Sequence, residues 1–316
     1  IRRGPMKRPT SGTSVFSPIT ANAVAGTAQT TNFVIDSQWK AKRGSTDTLN
    51  TSIDDRLRAF SSNSTAEGRY IISAATSTES ATNATTQFFN NTGFQIPTYY
   101  ASVSSIFWSF GRAPGFFDTV CYTGTGSNTT QSHNLAAVPE LMIIKRRNVA
   151  AAWAVYSASL SNTEHLVLNT TAAKATGSTY WNSTTPTSTV FSIGTDTPVN
   201  ANTGTYVAYL FATVAGVSKV GSYTGTGAAL TINCGFTAGA RFVMIKRTDS
   251  TGDWYVYDSA RGISSGNDPY MLWNSTAAEV TGTNYVDTDT TGFKLTASAP
   301  AGLNANGGTY IFLAIA

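Results

Sequence analysis

The sequence predicts an all-β protein of three tandem β-sandwich domains, jelly-roll-like in type, behind an extended N-terminal arm. Three observations predict it. A pattern recurs about every hundred residues; short β-branched and aromatic runs alternate with Gly, Asn, Ser and Thr; and only 12% of residues are charged.

The recurrence sets the organisation before any local reading. Tyr122-Thr-Gly-Thr-Gly126 returns as Tyr223-Thr-Gly-Thr-Gly227, Ile144-Lys145-Arg146 as Ile245-Lys246-Arg247, and Trp153-Ala-Val-Tyr156 as Trp254-Tyr-Val-Tyr257, each at an offset of 101 residues. Past a small insertion, Leu168-Asn-Thr-Thr-Ala-Ala173 is matched by Trp273-Asn-Ser-Thr-Ala-Ala278. Asn200-Ala-Asn-Thr-Gly-Thr-Tyr206 is matched by Asn304-Ala-Asn-Gly-Gly-Thr-Tyr310. A divergent copy lies upstream, with Lys42-Arg43 against Lys246-Arg247, Asp54 against Asp258, Glu79 against Glu279 and Gly93-Phe94 against Gly292-Phe293. Its Trp strand is missing, and Asn50-Thr-Ser-Ile53 stands in that place.

Taken in chain order, residues 1–31 have little apolar content and no periodicity, which predicts an extended basic arm or linker. The copies then span 32–113, 114–215 and 216–316. Within the second, Leu141-Met-Ile-Ile-Lys145 is a continuous apolar run ending in cations, as expected for a buried strand emerging into water. Trp153–Tyr156, His165–Leu168, Val190–Ile193 and Tyr206–Phe211 follow as short strands bounded by turn formers. Ala172-Ala173-Lys174-Ala175 could make one helical turn. The connections Gly111–Gly115 and Val214–Val217 are short, which predicts a stiff rod or packed row of units.

At 316 residues the chain has room for two or three domains. Its charged fraction is about half that of ordinary soluble domains, roughly 25%, which argues against a metabolic enzyme. Arg2, Arg3, Lys7 and Arg8 supply most of the net charge of +4. They make the arm a candidate anchor, while the near-neutral body argues against nucleic-acid binding. Cys121 aligns with Ser222 and Cys234 with His133, so the thiols belong to no repeated disulfide framework; this fits assembly in a reducing cytoplasm. No apolar run reaches the ~18 residues of a membrane span, and no signal peptide is visible.

Little reactive chemistry is expected. His133 and His165 read as hydrogen-bonded structural residues. Asp54-Asp55 and Asp287-Thr-Asp289 read as solvated turns, in preference to a glycosidase pair or a calcium loop. Thr-Gly-Thr-Gly lacks the helix that a phosphate cradle needs behind its glycines. Trp153 and Trp254 read as core. Tyr180 and Trp181, with Tyr285 aligned to the first, lie in polar stretches and are candidate surface aromatics for a sugar ring. No catalytic, cofactor-binding or metal-binding residue is expected, and no cofactor.

The run Arg112-Ala-Pro-Gly-Phe-Phe-Asp-Thr-Val-Cys-Tyr-Thr-Gly-Thr-Gly126 resembles a repeat of structural proteins of marine tailed bacteriophages. So do Phe242-Val-Met-Ile-Lys-Arg247, Trp254-Tyr-Val-Tyr-Asp-Ser-Ala-Arg-Gly262 and Thr309-Tyr-Ile-Phe-Leu-Ala-Ile-Ala316. The resemblance covers residues 32–316 and is strongest after 112. It implies a non-enzymatic virion protein, a tail-fibre or appendage subunit acting as spacer and host-surface contact, assembled in the host cytoplasm. The partners expected are further copies of itself as a homotrimer, other virion proteins through the arm, and a host glycan or protein, with no membrane. The rivals are a capsid decoration or head-fibre protein, a polysaccharide-degrading enzyme, and a cellular adhesin or extracellular filament subunit.

Overall fold

The computed structural model describes residues 6–44, 51–58, 68–82, 89–90 and 93–316. Strands dominate, all ladders between them are antiparallel, and the α-helices among the described residues are single turns at Ser178–Trp181, Thr197–Asn200 and Ala301–Asn304. Ala172–Lys174 is not helical, and Ala175–Thr176 is extended.

Each copy builds one large sheet. In the second copy its order is Phe117–Thr123, Thr205–Phe211, Leu141–Arg146, Trp153–Ser157, Glu164–Val167 and Ala175–Thr176. The first copy repeats it with Phe16–Ala21, Ser105–Phe110, Ser37–Lys42, Thr51–Asp55, Gly68–Ile72 and Ser80–Thr82. The third uses Ser218–Thr224, Thr309–Ile315, Phe242–Arg247, Trp254–Asp258 and Met271–Leu272. This is a meander with the first and last strands of the copy added at one edge, rather than the paired Greek keys of a jelly roll. A small sheet accompanies each, such as Thr129–Ser132 with Val190–Ile193.

The first copy therefore begins upstream of residue 32. Phe16–Ala21 pairs with Ser105–Phe110 as Phe117–Thr123 pairs with Thr205–Phe211. The expected arm is thus shorter than predicted. Pro18 hides this strand in the sequence, and it is tolerated because the strand is an edge. The ladders also move the first copy's alignment by one residue. Lys42 and Arg43 lie at the positions of Arg247 and Thr248, and Asp55, not Asp54, lies at that of Asp258.

The continuous apolar strands have a simple cause: both faces of each large sheet are buried. Successive residues point to opposite faces. Met142 and Ile144 pack with Tyr206, Ala208, Leu210, Phe191 and Ile193 in a cluster local to the second copy. Leu141 and Ile143, with Val207, Tyr209 and Phe211, point the other way into a core that all three copies share. There Trp39 lies 5.4 Å from Trp273 and 5.9 Å from Phe211, and Trp108 lies 6.3 Å from Phe242. A rod of separate units is therefore excluded. It would leave three wide apolar faces in water, and a sheet must bury such a face against another layer.

The copies close into a ring. Glu79 N–H donates to the Arg147 carbonyl (2.9 Å), Lys174 N–H to that of Thr248 (2.9 Å), and Glu279 N–H to that of Arg43 (2.7 Å). The first copy thus joins the second, the second the third, and the third the first. Indoles bridge two of the same seams: Trp153 Nε1–H donates to the Ile72 carbonyl and Trp254 Nε1–H to that of Val167, both at 3.1 Å. The missing Trp of the first copy is Thr51, and the volume is restored from across the third seam. Trp273 stands where the other copies have Ser73 and Leu168, and its ring meets Trp39 and Trp108.

Two recurring motifs prove to be partners. Asn200 Oδ1 accepts Thr125 N–H and its Nδ2 donates to the Ser127 carbonyl; Asn304 does the same for Thr226 and Ala228. The Thr-Gly-Thr-Gly loop is glycine-rich because a Cβ at Gly124 or Gly225 would strike the carbonyl of Ala201 or Ala305. Gly126 and Gly227 adopt φ of +73° and +66°, the left-handed region that favours glycine.

Candidate functional site

The outer face of the first copy's large sheet is where that copy departs furthest from the others. Lys40 stands at the ladder position of Ile144 and Ile245, and Asp54 at that of Tyr156 and Tyr257. Gln38, Ser52 and Ser109 likewise replace Met142, Ala154 and Leu210 of the second copy. Lys40 is 2% exposed and Asp54 6%. Lys40 Nζ and Asp54 Oδ2 form an ion pair across adjacent strands, one step diagonal in register. The Tyr100 ring centre lies 5.3 Å from Nζ, and Tyr100 Oη shares a 2.7 Å hydrogen bond with Ser52 Oγ. Gln38 Nε2 donates to Ser109 Oγ at 3.0 Å.

Electrostatically this is a dry pair. Burial pushes the Lys40 amine below its ordinary range and the Asp54 carboxyl above its own, each against the pull of the other's charge. Both shifts favour the uncharged forms. Asp54 Oδ1 and Gln38 Oε1 have no hydrogen-bond partner among the described residues, although both are buried. A buried polar atom left unpaired is costly.

The neighbouring Asp55 faces the other way, as alternation along a strand requires. It meets Arg58 in a buried ion pair and accepts a 2.7 Å hydrogen bond from Tyr209 Oη in the shared core. Asp54 and Asp55 are therefore neither solvated turn residues nor a carboxylate pair on one face. Asp258 and Arg261 repeat the arrangement in the third copy, at 2.6 Å, with Trp108 Nε1–H as donor at 2.9 Å. Sequence reasoning missed Lys40, Arg58, Tyr100 and Arg261. The available signal was a polar pair at positions that are apolar in the sibling copies, visible only in the corrected register.

The other candidates separate. Arg2 and Arg3 lie outside the described residues. Lys7 and Arg8 are exposed and line a cleft of about 560 Å³ with Thr10, Phe33 and Arg112. The Arg112 guanidinium there is bound to Asp118 at 2.6 Å. Trp181 is not a surface residue: it is fully buried with its indole N–H on the Glu164 carbonyl (2.9 Å), and the aligned Val286 is core too. Tyr180 is half-buried and stacks on His165 at 3.7 Å; Tyr285 is half-buried, 6.0 Å from Tyr270. Tyr180 and Trp181 lie 5.9 Å apart, but Tyr285 belongs to a separate cluster with Tyr270 in the third copy.

His133 is held by backbone on both ring nitrogens, with Nε2 3.1 Å from the Thr187 carbonyl and Nδ1 accepting Leu135 N–H at 3.3 Å. Burial lowers the pKa of both histidines. Cys121 and Cys234 are free thiols. Among the described residues no three His, Cys, Asp or Glu side chains converge as metal ligands, and no helix is long and apolar enough to cross a membrane.

Residues 102–316 match a family described as a domain of unknown function, DUF7483. The matched stretch takes in the second and third copies and the last strand of the first. No curated protein matches the chain.

Proposed function

The chain belongs to the DUF7483 family, and we propose that it is a non-catalytic structural subunit of a bacteriophage virion, a tail-fibre or appendage component serving as spacer and host-surface contact. We read each copy as a small two-layer sandwich whose large sheet also walls the common core. The observation that carries the structural role is the closed ring of cross-copy hydrogen bonds around that core. Such a body resists shear as one unit, because no copy can leave without exposing its inner face. The virion setting rests on the phage-like runs at 112–126, 242–247, 254–262 and 309–316. The basic N-terminal residues supply the anchor, and a host glycan or protein is the outer partner. Three packed copies in one chain give a threefold body to each subunit, and homotrimers add such bodies together through many weak contacts.

The test is electron microscopy of purified particles labelled with antibody raised against the full chain, alongside incubation of the chain with host polysaccharide. Label on tail appendages with no sugar released supports the proposal. Label on the capsid shell or on cell-surface filaments overturns the location, and released sugar overturns the non-catalytic role.

A further inference from the structure

We propose that Lys40 and Asp54 condense spontaneously into an intramolecular amide, a covalent cross-link between two neighbouring strands of the first copy. Four observations carry this. The two side chains lie on the same face of adjacent antiparallel strands, one step diagonal in register, with Nζ already against the carboxyl. Both are buried, so water does not compete for the carboxyl carbon. Asp54 Oδ1 has no hydrogen-bond partner among the described residues, so the carboxylate is not held by the network a stable buried ion pair needs. Finally, the two sibling copies fill the same two positions with Ile144 and Tyr156, and with Ile245 and Tyr257. The fold does not require charge there.

The chemistry needs no external reagent. Burial favours the free amine and the protonated carboxyl over the ion pair. The Nζ lone pair adds to Cγ of Asp54, the Cγ–OH bond breaks, and the hydroxyl leaves with one Nζ hydrogen as water. The product is a neutral secondary amide with one remaining N–H and one carbonyl oxygen, and no buried charge is left. Holding nucleophile and carbon together in this way is the proximity effect that raises intramolecular rates, by up to roughly 10⁵–10⁸ M in effective concentration. The Tyr100 ring and the Ser52–Tyr100 hydroxyl pair border the site and fix its polar side. This inference is independent of where the protein resides.

Intact mass spectrometry of the purified full chain under denaturing conditions tests it. The expected mass falls short of the sequence mass by one water, and tandem spectra of a protease digest show a branched peptide joining positions 40 and 54, with no tryptic cleavage after Lys40. Lys40→Arg keeps the positive charge but replaces the nucleophilic amine, so its mass should show no deficit. A wild-type mass equal to that of the sequence, or linear peptides recovered at both positions, overturns the proposal. So does a deficit that persists in Lys40→Arg.

Discussion

Trp108 in the first copy donates its indole N–H to Asp258 Oδ2 in the third copy at 2.9 Å, as Tyr209 in the second donates to Asp55 in the first at 2.7 Å. At the remaining seam the equivalent positions are Ser157, Leu160 and Leu313, and the Asp–Arg pair and the ring that binds it are absent together. A buried Asp–Arg pair thus occurs where the next copy presents a polar aromatic donor, and is replaced where that donor is Leu. Asp258 and Arg261 side chains are fully buried. Removing one partner strands the other. Asp258→Ala should therefore cost about 3–5 kcal/mol, and Asp258→Ser with Arg261→Leu should cost less than the single change. Urea unfolding of the wild type and the two variants checks this through their midpoints.

Stability should rise with pH between about 8 and 9. Lys145 and Lys246 are buried with Nζ on cross-copy carbonyls of Thr76 (2.8 Å) and Thr171 (3.1 Å), and burial pushes both down to about 8 from 10.5. Above pH 8 the unfolded chain holds more protons than the folded one, so the slope of stability is positive. Past pH 9 the thiols oppose it, because burial raises Cys121 to about 11 and Cys234 to about 12. The unfolded chain ionises these first. Denaturation midpoints from pH 7 to 10 should show the rise in the wild type and lose it in Lys145→Met/Lys246→Met.

The same thiol shifts predict slow alkylation. At pH 8 the thiolate of Cys121 is scarcer than that of an ordinary cysteine by about 100-fold, and that of Cys234 is scarcer still. Timed labelling with a maleimide, read by intact mass, should leave both unmodified in the folded chain over a period that fully labels the chain in denaturant. Rapid single labelling of the folded protein would contradict the burial of that thiol.

A single copy should not stand alone. Residues 216–316 expressed by themselves expose Phe242, Met244, Trp254, Val256, Ile311, Leu313 and Ile315, all buried in the shared core of the full chain. Size-exclusion chromatography with circular dichroism should find this fragment aggregated, unfolded or self-associated, and never a folded monomer. A cooperatively unfolding monomer would show that the third copy's local cluster suffices.

Much of this was legible in the sequence, and the losses have physical causes. The three copies, the all-β class and the core Trp153 and Trp254 followed from repeats and apolar runs. The unbroken run Leu141–Ile144 announced a buried strand, but nothing local says that its second face meets two other copies. Pro18 concealed the first strand. The one-residue slip at Lys42-Arg43 arose because cations end all three strands, so charge alone could not fix register; only the ladder does. That slip hid the candidate site, since it set Asp54 against the acidic Asp258 and so concealed that its true counterparts are Tyr156 and Tyr257. Trp181 was misplaced because its neighbours are polar, although Val286 at the aligned position pointed inward.

Two of the three seams carry a Glu–Arg ion pair, Glu79 with Arg147 and Glu279 with Arg43, while at the other Lys174 meets Thr248 through its backbone N–H. A chain with three segments of the same strand order risks pairing them in the wrong order, or with a neighbouring molecule, as it emerges and collapses. Exchanging the second and third segments would set Glu79 beside Thr248 and Arg43 beside Lys174, so the wrong order would keep one Glu–Arg pair, Glu279 with Arg147, where the native order has two. The seam of Lys174 and Thr248, which lacks a Glu–Arg pair, thus distinguishes the native order of segments from the exchanged one.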